Sequence, residues 1–549
     1  MKILRGIFQI LSRYGWTAAL IVLGAFAVGF TWSSSDELYS HIRLLDRAAI
    51  TITSDYVDAI DESEVIKAGI DGMLTGLDPY SRYLSGADYL YLRQETEGQF
   101  EGIGVALGFH HDTLTIESVL EGTPSYGQGV TAGDRIVAID GKSTIGADMR
   151  SIKMMLRGPV GSNVALKIAR PGTGLLDFRV ERDKVEIKAV SFYGMVKGDV
   201  GYIKLERFSD NCSGEVHQAI SNLKKQGMRS LILDLRGNPG GLLIEAVEIA
   251  SMLLPQHADI VETRGRGGLV GDSYVSSGKP DFQTGGLAIL VDSLTASAAE
   301  IVAGAVQDHD RGVIIGGATF GKGLVQQVMQ FSDDSALKLT TAKYYLPSGR
   351  CLQKPDWSGF ELVAAENEDS PDSLFRTDSG RTVFGGGGVI PDIYMEDDVL
   401  SAYIAALDSQ SCFFDFSLAF LAQHQITPDM KIDTTIMNDF RKFLHLTGFH
   451  FQSEERTAFV EMKKELKKPS EKMTSAMDII DKELSVRESW GYESNYSQIA
   501  SRLRETLVRM KFGETALYRE IRLPSQVEIL EALNILADSN RYAGILSIH

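Results

Sequence analysis

Cysteine is almost missing from this chain: Cys212, Cys351 and Cys412 are odd in number and far apart, which supports neither a disulfide framework nor a C-x-x-C metal site. Proline is scarce as well, 14 residues against 54 glycines, so the chain is neither collagen-like nor Pro-rich, and many tight turns are expected. Positive charge is in deficit. With 55 Lys and Arg against 73 Asp and Glu the formal charge is −18, which works against any polyanionic partner, since phosphate binding relies on clustered Lys and Arg; no nucleic acid is expected.

What is present is an ordinary globular balance, 44% hydrophobic and 23% charged, over 549 residues. That exceeds what one hydrophobic core serves, so roughly two to four domains are expected. At the N-terminus Lys2, Arg5 and Arg13 precede an uncharged run from Tyr14 to Ser35, closed by Asp36 and Glu37. About 20 helical residues cross a bilayer core of roughly 30 Å, so residues 1–35 read as a membrane anchor with the N-terminus cytoplasmic and the rest across the membrane. The alternative is a signal peptide cleaved near Ala25-Phe26-Ala27, although that leaves an apolar new start, Val28 to Trp32. Both readings export the protein, to the periplasm or cell envelope.

Beyond residue 36 the patterning changes three times. Residues 36–95 carry apolar positions at three- and four-residue spacing, a helical region. Residues 96–185 switch to short β-branched runs between glycines, such as IGVALGF, DRIVAIDG and NVALKIAR, a small mostly-β module. From 186 to 398 strands such as VGYIKL, SLILDL, LAILVD and GVIIGG alternate with helices, which argues for an α/β layer with a buried sheet. Residues 399–549 are charged and helical and carry no recognisable chemistry; they are candidates for a homodimer contact, a lid, or a docking arm for an adaptor protein.

Three small-residue segments follow strands of the α/β region, where such folds place their sites: DLRGNPGG (234–241), DSLTASAAEIVAGAVQD (292–308) and GGATFGKGLVQQ (316–327). The third nearly matches a phosphate-binding P-loop, but Gly323 stands where Ser or Thr would hold magnesium, so nucleotide binding is not expected. In the second, Ser297 falls at the start of a helix, beside free N–H groups that favour a developing anion. Capping the helix is the commoner role for such a serine, and position alone does not decide. A nucleophile needs a base, and His309, twelve residues on, lies about 18 Å away if the helix continues. His217, His110 and His111 lie in other segments without a paired acidic motif. A lysine serves if burial lowers its pKa from about 10.4 toward roughly 7 to 8, and Lys322, among glycines and apolar residues, suits that demand.

Taken together, LDPYSRYL, GIGV, GDRIVAIDG, DLRGNPGG, SLTASAAEIVAGAVQD, TFGKGLVQ, TTAKYYLPSGR and GGVIPDI resemble, in order and over residues 40 to 395, the carboxyl-terminal processing serine peptidases, or tail-specific proteases. The resemblance implies a multidomain α/β protein: a crotonase/ClpP-like α/β peptidase core with an inserted mostly-β PDZ domain and flanking helical regions. It implies Ser297 as nucleophile, Lys322 as general base and Gln326 as the residue that orients the lysine. It assigns the oxyanion hole to the N–H of Ala298 and one from Gly240-Gly241, with Gly240 slightly favoured; glycine admits a close main-chain approach that any Cβ would crowd. Leu294 and Ala299 depart from the family's usual small-residue run without removing a reacting group.

The β module then resembles a PDZ domain, with Gly102, Ile103, Gly104 and Val105 as the loop that holds a terminal carboxylate while the tail adds as a strand. Gln128 stands where a small residue is more common, and Arg157 is a candidate for coupling this module to the active site. The expected function is a serine endopeptidase with a Ser/Lys dyad that cleaves exported proteins presented by unstructured C-terminal tails, with no metal or cofactor. Two other classes fit the motifs less well. A non-cutting scaffold would need none of Ser297, Lys322 and Gln326, and an acyl-CoA-processing enzyme would need neither a PDZ module nor an export signal.

Overall fold

The structure, a computed structural model, describes residues 38–332, 334–354, 373–396, 400–466 and 469–547. The expected anchor, residues 1–35, lies outside the described residues; among those described, no single helix is long and apolar enough to cross a membrane. The chain divides into two compact units. The smaller holds helix α1 (38–55) and helix α2 (Glu62–Leu74), which Asp61 caps by accepting the Ser63 N–H at 2.8 Å. Apart from Leu337–Leu339, which belong to the smaller unit, the residues described below belong to the larger one.

Helix α3 (Ala87–Glu97) ends on Gly98, whose φ of +64° closes the last turn in the left-handed region that glycine tolerates. The mostly-β module follows. Strand β1 (Gln99–Gly102) pairs antiparallel with β7 (Asp183–Glu186), which ties the module's two ends together. Between them β2 (Val105–His110), β3 (Thr113–Val119), β4 (Arg135–Ile139), β5 (Asn163–Arg170) and β6 (Gly174–Glu181) form an antiparallel sheet in that order. The alternation in β5 is the period-two pattern at work: Val164, Leu166 and Ile168 are buried, Asn163, Ala165 and Lys167 exposed. Helix α4 (Met149–Leu156) closes the core with Ile152 and Leu156, and Asp148 caps it on the Ser151 N–H at 3.0 Å.

The α/β region builds one sheet from β8 (Val190–Lys197), β9 (Val200–Leu205), β10 (Ser230–Asp234), β11 (Leu287–Val291), β12 (Val313–Gly316) and β13 (Ile393–Tyr394), side by side in that order. The β8–β9 pair is antiparallel, and every later pairing is parallel. Parallel strands buried on both faces need apolar side chains at every position, which explains the unbroken runs SLILD and LAILV. One face packs Leu231, Leu233, Ile289 and Ile314 against helices α5 (Cys212–Lys225), α6 (Leu243–Leu253) and α7 (Ala298–Asp308).

The other face belongs to the chain's last helices. Ile232, Ala288, Leu290 and Ile315 meet Leu523, and also Ile529, Ala532 and Ile535 of helix α8 (Val527–Ala537). Tyr518 stacks on Phe192 with ring centroids 4.8 Å apart, and Tyr542 donates to the Leu287 carbonyl at 3.2 Å. Each fully buried isoleucine of this kind contributes about 1.5–3 kcal/mol. A separate helical core around Phe413, Phe416, Phe440 and Leu503 occupies the segment between the sheet and these closing helices.

Candidate active site

Because β10, β11 and β12 are parallel neighbours in register, with Asp234 opposite Leu290 and Val291 opposite Gly316, their C-terminal ends deliver the three small-residue loops to one edge of the sheet. Hydrogen bonds then tie each loop to the next. Gly237 N–H donates to the Asp292 carboxylate at 2.9 Å, Ala296 N–H to the Asn238 carbonyl at 2.9 Å, and Phe320 N–H to the Thr295 carbonyl at 2.9 Å. The Thr295 hydroxyl, fully buried, donates to the Leu235 carbonyl at 3.0 Å.

Ser297 stands immediately before α7 with φ +56° and ψ −117°, outside the conformations an L-residue prefers. Such a backbone costs about 1–3 kcal/mol and persists only where its surroundings hold it. Glu300, one turn into the helix and completely buried, does the holding. Its Oε2 accepts the N–H of Ser297 at 2.7 Å and of Lys322 at 2.9 Å; its Oε1 accepts the Thr319 hydroxyl at 2.6 Å and the Gly321 N–H at 2.8 Å. The main chains of Ser297 and Lys322 therefore meet on one oxygen. Burial pushes the Glu300 carboxyl above its usual range, and the four donors pull it back toward the charged form. From the opposite side the Tyr344 hydroxyl, in strand Ser335–Tyr345, points at the Ser297 carbonyl at 3.3 Å and also donates to the Lys322 carbonyl.

Gly240 presses directly on the serine: a Cβ there would lie 2.6 Å from the Ala296 carbonyl oxygen and 2.8 Å from Ser297 Cβ. Its N–H donates to Asn238 Oδ1 at 2.9 Å. Gly241 pairs with Phe208 as an isolated parallel bridge, the bonds running from Phe208 N–H to Gly240 and from Leu242 N–H to Phe208, so its own N–H faces the other way. Among the described residues no acceptor stands on the N–H of Gly241 or of Ala298, the first residue of α7. Gln326 begins the strand Leu324–Ser332 two residues in, and its side-chain amide donates to Thr340 Oγ1 at 3.3 Å.

The predicted carboxylate loop, Gly102 to Val105, borders a cavity of about 310 Å³ walled by Phe100 and Leu107, by Lys153, Leu156 and Arg157 at the end of α4, and by Tyr91 of α3. Gly104 has φ +77°, and a Cβ there would lie 2.3 Å from the Thr123 side chain, so only glycine fits. Arg157 donates to Gln94 of α3. Among the described residues no acceptor stands on the N–H of Ile103 or Gly104.

Sequence reasoning missed Glu300, Thr319 and Tyr344. The first left a signal, since Ser297-Ala-Ala-Glu300 has the S-x-x-E spacing of a capping box. Nothing local marks the other two, whose partners lie on distant segments. Among the described residues no group of three or more His, Cys, Asp or Glu is arranged to hold a metal ion.

Residues 199–359 match the model of "Peptidase family S41", residues 115–170 that of "PDZ domain", and residues 403–536 that of "Probable PDZ-protease, C-terminal helical domain". The chain is 35% identical over 379 residues to the carboxy-terminal-processing protease of Bartonella bacilliformis, covering 64% of this chain and 84% of that one. It is 32% identical over 311 residues to the carboxy-terminal processing protease CtpA of Bacillus subtilis, covering 56% and 66%. The solved photosystem II D1 C-terminal processing protease is 28% identical, with coverage of 64% and 86% and a TM-score of 0.36.

Proposed function

Since this chain belongs to the carboxy-terminal-processing protease family, serine-type endopeptidases of which it carries both the peptidase and the PDZ domain, we propose that Ser297 is its nucleophile, Lys322 the general base, and exported proteins bearing C-terminal tails its substrates. A tail enters the PDZ groove along β2, its carboxylate on the N–H groups of Ile103 and Gly104. The chain upstream reaches Ser297. Lys322, as the neutral amine, takes the hydroxyl proton while Oγ attacks the scissile carbonyl. The oxyanion is received by the N–H of Ala298, at the positive end of α7, and by that of Gly241 in place of the slightly favoured Gly240, whose N–H is taken by Asn238 and which serves as the close-packed hinge beside it. The protonated lysine then returns its proton to the leaving amine, and water, deprotonated in turn by Lys322, releases the acyl group.

The observation that carries this reading is the sharing of Glu300 Oε2 by the main chains of Ser297 and Lys322. A binding groove has no need of a completely buried carboxylate that fastens those two residues together. Gln326, four residues beyond Lys322 in the strand Leu324–Ser332, is the supporting residue for the lysine. An envelope or periplasmic location, with residues 1–35 as the anchor, fits the charge pattern of the N-terminus.

The test is cleavage of an unfolded protein with an apolar tail by Ser297→Ala and Lys322→Ala. Both variants should lose turnover while binding a tail peptide as the parent does, and amidating the peptide's C-terminus should abolish that binding. Cleavage that survives Ser297→Ala would remove the nucleophile assignment.

A further inference from the structure

The oxyanion loop is anchored from an unexpected direction. Arg236, third residue of DLRGNPGG, places Nη2 2.6 Å from Asp234 Oδ2 and 2.8 Å from Gln526 Oε1, and Nη1 3.0 Å from Glu528 Oε2. Gln526 and Glu528 open α8, so one guanidinium joins the floor of the catalytic loop to the C-terminal helical region. Around it the buried charges are balanced. Lys204 lies 3.6 Å from Asp234 and donates to the Arg236 carbonyl, Tyr202 donates to Asp234 at 2.6 Å, and Glu206 is 3.9 Å from Lys204 at the rim.

Between Arg236 and the oxyanion site run Gly237, Asn238, Pro239, Gly240 and Gly241. The three glycines have φ of +69°, +91° and +148°, and none has a side chain that could lock it. Their position therefore comes from the groups around them: Asp292 on the Gly237 N–H, Asn238 and the Phe208 bridge at the tip, and Arg236 at the base. With Gln526 and Glu528 gone, Arg236 would keep Asp234 alone, and its outer nitrogens would turn to water.

Resting on the reading of Ser297 and its oxyanion loop given above, we infer that Gln526 and Glu528 are positioning residues for catalysis, through which the C-terminal helical region holds Arg236 and hence the glycine loop in its reactive geometry. The segment beyond residue 518 thus acts on the reaction as well as covering the sheet.

Two measurements on the full chain test this. In the double variant Gln526→Ala/Glu528→Ala, backbone hydrogen exchange across 236–242 should speed up, and kcat should fall about tenfold, less than the roughly 10²–10³-fold that outright removal of an oxyanion-hole donor costs, with KM and tail-peptide affinity unchanged. Glu528→Gln, which keeps an acceptor oxygen for Arg236, should recover most of the kcat. Ile535→Ala, on the same helix but away from the arginine, serves as the control: it should lower the melting temperature and leave kcat at 25 °C unaltered. Unchanged exchange in the loop, or faster exchange with unchanged kcat, overturns the inference. So does a kcat loss that Ile535→Ala reproduces. If instead Ser297→Ala still cleaves, the nucleophile assignment fails, and the exchange data still decide whether the clamp exists.

Discussion

Replacing Glu300 with glutamine changes one oxygen to an NH2 group and leaves the side chain's volume intact. In the parent all four neighbours of the carboxylate are donors, so the amide must turn its NH2 toward two of them. The Thr319 side is the easier, because a hydroxyl can rotate to accept, yet Gly321 N–H is then left buried without an acceptor at a cost of about 1–3 kcal/mol. Relief of the buried charge offsets part of this. The fold should survive, but the lysine loop loses its grip, and a displacement of about 1 Å between reacting groups costs about 10²-fold in rate. We expect kcat for a tailed substrate to fall about 10²-fold while tail-peptide affinity, set in the PDZ groove, is unaffected. The acid limb of the parent should reflect the same group. Burial raises the Glu300 carboxyl, so activity that needs its carboxylate is lost as pH falls through a value above the ordinary 4.5. Stability runs the other way: a raised pKa contributes fully below the unfolded value and is lost as pH rises through the folded one, so the charged form is kept at some expense to the fold. A Glu300→Gln enzyme within twofold of the parent kcat would refute the reasoning.

Three further outcomes follow from the same geometry. Gly240→Ala puts a methyl 2.8 Å from Ser297 Cβ and should abolish turnover while tail binding, measured by fluorescence anisotropy, persists. Gly104→Ala, at φ +77° with Thr123 2.3 Å away, should do the reverse, losing tail affinity more than tenfold while hydrolysis of a short untailed peptide continues. Burial alone would raise the Asp234 carboxyl, but Arg236 and Lys204 hold it well below the usual range, so its contribution is present above about pH 4 and lost as pH falls; Asp234→Asn should flatten the acid side of a stability–pH curve followed by denaturant unfolding.

Much of this was readable in advance. The strands SLILD and LAILV announce themselves because a parallel sheet covered on both faces leaves no polar position to break the run, and the loops that follow them are marked by small residues. Ser297, Ala298, Lys322 and Gly240 stand in those loops, at the edge where the strand register delivers them. Glu300 was visible only as a helix cap, because its other partners, Thr319, Gly321 and Lys322, come from a segment some twenty residues away whose path the spacing does not reveal. Tyr344 lies in TTAKYYLPSGR, a motif that assigns it no role. The final helices are amphipathic, and amphipathicity states that a helix is covered without stating by what. Nothing in the apolar pattern of VEILEALNILA assigns it to the outer face of the sheet, and nothing in Glu528 predicts Arg236.

Ile529, Ala532 and Ile535 cover strands that are made some two to three hundred residues earlier. While the polypeptide is still being synthesised, Ile232, Leu290 and Ile315 have no roof, and the sheet that carries all three reactive loops is left with a bare, sticky side. A protease whose scaffold is completed only by its late-made helices should be inactive throughout its own production. Chains interrupted before residue 518 should be recognised by their insolubility, not by any stray cutting.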